Sequence, residues 1–282
     1  MSLSGYTLRV PTVHRLDDYL GLWLYEPSRF LAQWQRRSAD DLFAHVAAAP
    51  SPRPTSTLEM VPIKGDKSIA VVSAVGTLMK QASSFGGTST VQLRRDIRAA
   101  ANDPNIASIL MRVDSPGGTV AGTADLAADV RAARKRKPVW SHIEDLGASA
   151  AYWYASQADA VYANTGTALI GSIGTFNVIY DVSQAAEKEG VRTLVFRTGP
   201  MKGVGVPGAP VTDDQAAEMQ RVVNELQTHF DAAVRTGRGM SASQLTAVRS
   251  GGVWPASEAV DLKLIDGIRS LDSTLAALAV AK

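Results

Sequence analysis

The chain has 282 residues, of which 45% are hydrophobic and 20% charged, and its 29 basic and 27 acidic side chains give a net charge of +2. This composition is that of a globular protein with one large domain or two small ones, rather than of a disordered or fibrous chain. Because the chain contains no cysteine, it excludes disulfides, thiolate-bound zinc, iron–sulfur clusters and a cysteine nucleophile.

Residues 1–57 are predicted to form an extension ahead of a separate core. Large apolar side chains cluster between residues 19 and 34, and the prolines at 50, 52 and 54 give the following run the composition of a linker. The extension would pack against the core or, alternatively, dock a partner. The N-terminus lacks the apolar segment of a signal peptide, and no run reaches the ~20 apolar residues that span a bilayer. We expect a soluble cytoplasmic protein, or one exported by a route that the sequence does not show.

From about residue 59 onward, strand and helix patterns alternate. Apolar and β-branched runs predict the strands, and apolar residues at helical spacing predict the helices between them. The strands are expected at 68–78, 105–115, 138–145 and 159–164, and the helices at 91–103, 122–136 and 148–157, with a further strand and helix before about residue 190. Such alternation implies parallel strands joined by helical crossovers, so the fold class is α/β with a mostly parallel sheet.

The helix predicted at 122–136 ends in a dense basic run, residues 131–137. The run is interpreted either as the solvated end of this helix, where the helix dipole favours cations, or as a binding patch. Since the net charge of the whole chain is only +2, we expect no nucleic-acid partner.

A long helix is predicted toward the C-terminus, at residues 213–236. Thr212 and Gln215 have the T-x-x-Q spacing of a capping box, and apolar residues follow at helical spacing as far as Val234. Glycines end the helix, and Ser241 is placed to cap a short helix that follows it.

Four turns rich in glycine or serine stand at the ends of predicted strands. In an open parallel sheet, ligands bind beyond the carboxyl ends of the strands, so we expect all four turns to line one site. The turns are DSPGGTV (114–120), DLGASAAYW (145–153), GTALIGSIGTF (166–176) and RTGPMKGVG (197–205).

The first two turns contain the candidates for an anion-binding loop and for a nucleophile. Gly117 and Gly118 permit a sharp turn with exposed backbone N–H groups, which suits an oxyanion hole, although a plain strand-to-helix turn needs the same residues. Ser149 opens a predicted helix, where it is either a nucleophile or, as is commoner, an N-cap. The small side chains of Ala150 and Ala151 let other backbone approach closely, which weakens the N-cap interpretation.

The third and fourth turns contain the candidates for a catalytic base and for the residue that orients it. A serine hydroxyl is a poor nucleophile near pH 7 unless a neighbouring base takes its proton. The histidine after Ser149 is His229, inside the long helix, which argues against a Ser-His-Asp triad. Lys202 lies among small residues and would serve as the base if burial favoured its neutral form, although most lysines are surface residues. Ser172 would orient an amine or simply bond to its own turn backbone.

The sequence gives no sign of a metal ion or a cofactor. The histidines show neither HxxxH nor HExxH spacing, and the absence of cysteine excludes thiolate ligands. The four histidines are His14, His45, His142 and His229. We therefore expect no metal site and no cofactor.

Taken together and in this order, the motifs resemble those of the signal peptide peptidase A family of serine peptidases. The resemblance covers roughly residues 66–270. It runs through IAVVSAVGTL, ILMRVDSPGG, GASAAYWYAS, GTALIGSIGT and TGPMKGVG to the long helix and GVWPASEAVDLKLIDGI. It implies a ClpP/crotonase-like fold with a long C-terminal helix, and a Ser-Lys catalytic dyad in place of a triad.

By position, the resemblance implies a serine endopeptidase in which Ser149 attacks a peptide carbonyl and Lys202 accepts its proton. Ser172 corresponds to the residue that hydrogen-bonds the lysine and holds it toward the nucleophile. The implied substrates are flexible or unfolded polypeptides, such as capsid or scaffold proteins or leader-peptide remnants. Two alternatives stay open, a crotonase-like acyl-CoA enzyme and a catalytically silent assembly protein.

The resemblance also implies the oxyanion hole. The backbone N–H groups of Gly118 and Ala150 would form it, and Gly117 would shape the turn. The chain departs from the family at Ser149-Ala150-Ala151, where members often have Ser-Gly-Gly. We expect activity to survive this change, with an altered pocket shape as the alternative.

The resemblance extends to organisation and partners. Many bacterial members carry a membrane anchor; its absence here, with the Trp-rich extension, is similar to the phage branch that cleaves scaffold or capsid proteins in the host-cell cytoplasm, where virions assemble. Members typically form rings, so a homo-oligomer is expected. The chain is divided into an extension and linker (1–57), a peptidase domain (58–275) and a tail (276–282).

Overall fold

The computed structural model describes residues 23–25, 57–81 and 87–281. Most of the predicted extension, including the proline-containing run, therefore lies outside the described residues. The division of the chain at residues 57 and 275 stays a prediction.

The described residues form twelve strands and eight helices. The strands are β1 Trp23–Tyr25, β2 Leu58–Pro62, β3 Ser68–Val75, β4 Leu78–Met79, β5 Thr88–Ser89, β6 Ile106–Ser115, β7 Gly117–Thr119, β8 Val139–Ala148, β9 Ala160–Ala163, β10 Leu169–Gly171, β11 Val253–Pro255 and β12 Gly267–Ile268. The helices are α1 Thr90–Asn102, α2 Thr123–Ala133, α3 Ala150–Ala155, α4 Ser183–Lys188, α5 Asp213–Gly237, α6 Ala242–Val248, α7 Ala256–Asp261 and α8 Leu271–Leu278.

The main sheet has the order β11-β10-β8-β6-β3-β2, and β9 joins it by pairing with β8 and β12. Strands β3, β6, β8, β9 and β10 run parallel, whereas β2 and β11 add antiparallel edges. Helices α1, α2 and α3 connect successive parallel strands, because two parallel strands of one sheet need a crossover connection between them. The predicted α/β fold, with a mostly parallel sheet and helical crossovers, is confirmed.

The sheet is covered on both faces, which explains why its central strands are almost continuously apolar. Alternate residues of β3 point to opposite sides: Ala70 and Val72 belong to the large core beneath the crossover helices, and Ile69 and Val71 to a smaller cluster. Leu278 of α8 closes this second cluster. The C-terminal helix is therefore part of the packed structure.

A second, smaller sheet stands beyond the carboxyl end of β6, in the order β1-β7-β4-β5. Its strand β7 begins two residues after β6 ends, pairs parallel with β4 and pairs antiparallel with β1. This sheet carries the Gly-Gly turn that the sequence analysis selected.

Strand β8 continues past its predicted end at residue 145 to Ala148. The additional residues pair with β10, in the register Leu146↔Leu169 and Ala148↔Gly171. A partner twenty or more residues further along the chain thus fixes the end of this strand, which local periodicity does not reveal. The following helix, α3, is correspondingly shorter than predicted.

Side chains of the basic run 131–137 are bonded within the chain. Arg131 Nη1 donates to Gln157 Oε1 at 2.8 Å, and Arg134 Nε donates to Asp159 Oδ1 at 2.9 Å. Lys137 Nζ donates to the carbonyl of Ala100 at 2.9 Å, and burial lowers the pKa of this amine. These contacts tie the end of α2 to its neighbours and favour the helix-end interpretation over a binding patch.

The long helix α5 begins as predicted. The Thr212 hydroxyl accepts the N–H of Gln215 and the Gln215 side chain accepts the N–H of Thr212, so both halves of the capping box are formed. Ser241 caps α6 in the same way. None of the helices in the described ranges combines the length and hydrophobicity that a bilayer crossing requires.

Candidate active site

Ser149 lies at the junction of β8 and α3, where an N-cap is expected, but it does not cap the helix. Its hydroxyl accepts no bond from the first turn, and its backbone is at φ 56° and ψ −121°. Ordinary caps have extended backbone and accept an N–H group two or three residues on. The caps of α1, α5, α6 and α8 have that geometry: Ser89, Thr212, Ser241 and Ser270.

The backbone at Ser149 is strained and firmly held. A positive φ is unfavourable for a residue with a side chain, and such residues persist where the surroundings enforce them, often at functional sites. The Ser149 N–H donates to the carbonyl of Gly171 at 2.7 Å, and its carbonyl accepts the N–H of Trp153 at 2.9 Å. A strained strand-to-helix turn also presents the nucleophilic serine of the unrelated α/β-hydrolases.

The hydroxyl of Ser149 is buried, and none of the described residues hydrogen-bonds to it. A buried polar group without a partner costs about 1–3 kcal/mol, so most buried hydroxyls in folded proteins are paired. The absence of a structural partner leaves this oxygen available for chemistry.

Helix α3 fixes the position of Ser149 because every one of its side chains is buried. The Tyr152 hydroxyl donates to the carbonyl of Leu264 at 2.7 Å. The Trp153 ring stacks on Phe230 of α5, with the ring centroids 4.8 Å apart. These contacts over the length of the helix leave little freedom for the turn that precedes it.

The Gly-Gly turn beside α3 requires both glycines. Gly117 has a φ of 98°, and its N–H donates to the Ser115 hydroxyl at 3.2 Å, which in turn donates to the carbonyl of Gly76 at 2.6 Å. A Cβ atom on Gly118 would lie 1.8 Å from the carbonyl oxygen of Leu78. Ser115 was not among the predicted site residues, although its place in the motif DSPGG is visible in the sequence.

The structure brings the Gly-Gly turn and the start of α3 together. Strand β7 packs against α3, and in the main sheet Ser115 of β6 lies opposite Gly147 of β8. Ala150 is the first residue of α3, so its N–H has no acceptor within the helix. Gly117, Gly118, Ser149 and Ala150 therefore share one end of the sheet, as predicted from the turn positions.

Ser172 follows β10 and lies next to the residue that holds Ser149. It is 2% exposed, has a φ of 49°, and donates its N–H to the carbonyl of Gly252 at 2.6 Å. Since Gly171 accepts the N–H of Ser149, the third turn adjoins the second.

Lys202 is not brought to Ser149 in this structure. It is exposed, in the segment between α4 and α5, and its backbone N–H donates to the carbonyl of Gly199 at 3.0 Å. Gln215, which the sequence indicated only as a cap residue, also donates to the carbonyl of Pro200 at 2.6 Å, two residues from the lysine. The role of Lys202 as a base stays a prediction.

Neither histidine in the described part of the chain bonds to Ser149. His229 is exposed on α5 and lies 3.9 Å from Glu225. His142 is buried in β8, where its Nδ1 is 3.1 Å from the Thr274 hydroxyl and burial lowers its pKa. The described ranges also contain no cluster of histidine and carboxylate side chains suited to a metal ion.

Comparisons with known proteins identify relatives of this chain. Residues 131–282 match the sequence profile of Peptidase family S49. Protease 4 of Salmonella typhi is 30% identical over 74% of this chain and 34% of its own length. Capsid assembly protease C of Escherichia phage lambda is 32% identical over 70% of this chain and 46% of its own length. The chain thus spans less than half the length of these two relatives.

A solved structure, an enoyl-CoA hydratase from Polaromonas sp. JS666, is similar with a TM-score of 0.44 and 14% sequence identity. The similarity covers 79% of this chain and 75% of that one. At this distance it says nothing about function.

Proposed function

The chain belongs to Peptidase family S49, and on that premise we propose that it is a serine endopeptidase with Ser149 as its nucleophile. The observation that carries the proposal is the state of Ser149, which is buried, strained, and without a cap bond or any described hydroxyl partner. A serine that served only to start a helix would need none of these features.

In the proposed reaction, Ser149 Oγ attacks the carbonyl carbon of a peptide bond and Lys202 Nζ accepts the hydroxyl proton. The N–H groups of Gly118 and Ala150 stabilise the negative charge on the carbonyl oxygen, a contribution of about 3 kcal/mol per donor. Lys202 then gives the proton to the leaving amine, and water hydrolyses the acyl-enzyme.

This reaction requires the segment between α4 and α5 to close over Ser149. Proton transfer needs a distance of ~3 Å between Lys202 Nζ and Ser149 Oγ, whereas Lys202 is exposed in the structure. Closure would remove the amine from water, which favours its neutral form. Ser172, in the adjoining turn, is proposed to hold the amine in place.

We propose that the chain forms a homo-oligomer, and that this assembly accompanies the closure of the segment between α4 and α5 over Ser149. Seven of the twelve large apolar side chains that are exposed in the described residues lie between residues 180 and 206. They are Tyr180, Val182, Val191, Leu194, Phe196, Met201 and Val206. A concentration of this kind marks an interaction surface rather than scattered exposure. A ring of copies would cover it and enclose the site.

The proposed substrates are flexible or unfolded polypeptides. Such chains can add to a sheet edge as an extra strand, through backbone bonds that do not depend on their sequence. The name of the phage lambda relative, a capsid assembly protease, supports capsid or scaffold proteins as the substrates to test first.

The test replaces Ser149 and Lys202, separately, with alanine. Each variant is expected to lose at least about a thousandfold in kcat on an unfolded protein such as casein, because neither half of a dyad works alone. Lys188→Ala removes an exposed lysine from the neighbouring helix and should leave kcat unchanged.

A serine-reactive fluorophosphonate provides a second readout. It is expected to label the wild-type protein but not Ser149→Ala. Full activity in either dyad variant would overturn the assignment. A wild-type protein that neither cleaves casein nor takes up the label would instead fit the silent assembly protein.

A further inference from the structure

Strand β7, which contains the Gly-Gly turn, is paired on both edges. On one edge it meets β4, with Leu78 opposite Gly118. On the other edge it meets β1, the strand Trp23–Tyr25 of the N-terminal extension, in the antiparallel register Trp23↔Thr119, Leu24↔Gly118 and Tyr25↔Gly117. The small sheet therefore places a segment far away in sequence directly against the predicted oxyanion turn.

The edge that β1 covers is the one that an extended substrate would need. The β4 edge is closed, because Leu78 of β4 already pairs with Gly118. Helix α3, which starts directly after Ser149, packs against β7. An extended chain that presents its carbonyl group to both Ser149 and Gly118 has to pair with β7 along the edge taken by β1.

We propose that Trp23–Tyr25 is an internal occupant of the substrate edge and competes there with polypeptide substrates. This inference rests on the proposed peptidase function. Strand pairing uses backbone N–H and carbonyl groups, so any extended segment can take the place of a substrate. Leu24 stands opposite Gly118, so the backbone of the extension lies where the substrate backbone is needed.

The pairing of β1 with β7 is reversible, so a polypeptide substrate can displace β1. A three-residue strand on an edge has little stability of its own, but its attachment to the same chain gives it an effective concentration in the millimolar range. If β1 is paired about 90% of the time, the apparent Kd of a competing polypeptide rises about tenfold. The extension would thus suppress the cleavage of weakly bound chains and yield to tightly bound ones.

The experiment compares the binding of fluorescein-labelled casein to full-length Ser149→Ala protein with and without Leu24→Pro. Proline removes a backbone donor, and in an edge strand such as β1 it is tolerated only where the N–H faces away from the neighbouring strand. We expect the Kd measured by fluorescence anisotropy to fall about tenfold in the double variant, in line with the occupancy above. Ala47→Pro, in the same extension but not in β1, is the matched control and should leave the Kd unchanged.

Amide hydrogen exchange supplies an independent readout that requires neither binding nor catalysis. Residues 117–119 should lose protection in the Leu24→Pro variant and keep it in Ala47→Pro. An unchanged casein Kd in a variant that has lost the protection would overturn the inference, because β1 would then lie off the substrate path. Tyr25→Pro is measured in parallel, since the N–H groups of consecutive strand residues point to opposite edges and one of the two prolines therefore removes a bond to β7. Protection that is kept in both variants would also overturn the inference, because β1 would then not be paired with β7.

If the protein is not a peptidase, the measurements of casein binding and hydrolysis give a different result. In that case the wild-type protein would bind casein without hydrolysing it, while the effect of Leu24→Pro on the Kd would still appear. For an active enzyme, the same substitution should lower KM for casein by a factor similar to the change in Kd and leave kcat unchanged.

Discussion

At the scale of single residues, Ser149 combines two unfavourable features that nearby contacts sustain. Its positive φ costs on the order of 1–3 kcal/mol, and its buried hydroxyl, which has no hydrogen-bond partner among the described residues, adds a similar penalty. The burial of the whole of α3 and the bond from Ser149 N–H to the Gly171 carbonyl offset these costs. A turn that only connected a strand to a helix would relax to an ordinary cap, so the retained strain supports the catalytic proposal.

Replacement of Gly118 by alanine tests the oxyanion turn at this scale. The new methyl group would collide with the carbonyl oxygen of Leu78 and displace the Gly118 N–H from the reacting carbonyl. We expect kcat to fall about 10²–10³-fold, the usual effect of losing one oxyanion donor. Steady-state hydrolysis of casein, with unfolding measured in parallel, checks this.

Gly166→Ala is the matched control for Gly118→Ala, because a Cβ atom at Gly166 meets nothing within 4 Å. It should retain both kcat and stability. Wild-type kcat in a folded Gly118→Ala protein would contradict the assignment of this turn to the oxyanion hole.

At the scale of elements, the position of the site depends on how α5 packs. The helix is 25 residues long, but its buried side chains are few and lie mainly near its C-terminal end. Phe230 is fully buried and stacks on Trp153 of α3, the helix that begins after Ser149. One end of a largely exposed helix thus supports the helix that positions Ser149, the proposed nucleophile.

Phe230→Ala is therefore expected to destabilise the protein strongly. Loss of a buried phenylalanine and the cavity it leaves cost about 3–5 kcal/mol in unfolding free energy. His229→Ala, one position earlier on the same helix, removes an exposed side chain and should change stability by less than about 0.5 kcal/mol. Urea unfolding followed by circular dichroism distinguishes the two, and similar losses would mean that the packing of α5 is not what holds α3.

At the scale of the whole molecule, the segment between residues 180 and 206 exposes more large apolar side chains than all the other described residues together. Phe196 is 93% exposed and Leu194 60% exposed, which is unfavourable for a monomer in water. The same segment carries Lys202, which has to reach Ser149 for the proposed reaction. One event, assembly with other copies, would bury the apolar side chains and enclose the lysine.

Phe196→Glu tests this assembly by placing a charge on the proposed interface. Light scattering should give a multiple of the 29.9 kDa chain mass for the wild-type protein and 29.9 kDa for the variant. Peptidase activity should fall with the loss of the oligomer. Val280→Glu places the same charge at another exposed apolar position and should leave the mass unchanged; a monomeric wild-type protein would refute the assembly.

The sequence by itself determined the features that depend on neighbouring residues. Hydrophobic periodicity predicted the order of the main parallel strands and of the helices that connect them, and the spacing of Thr212 and Gln215 predicted a capping box that the structure contains. The sequence also placed the Gly-Gly turn and the turns at Ser149 and Ser172 at strand ends, and connectivity of a parallel sheet is enough to gather these three at one edge. The fourth turn, with Lys202, follows a segment without a strand and is not gathered there. The shared motifs identified the peptidase family, which the family profile confirms.

Only the tertiary structure decided features that depend on partners far away in sequence. The strained backbone of Ser149 is held by Gly171, β8 is extended by β10, and β1 covers the Gly-Gly turn. No local pattern records these pairings, because any strand can bond through its backbone to another, and burial and chain connectivity select the partner. The tertiary structure also leaves Lys202 exposed and without a hydrogen bond to Ser149.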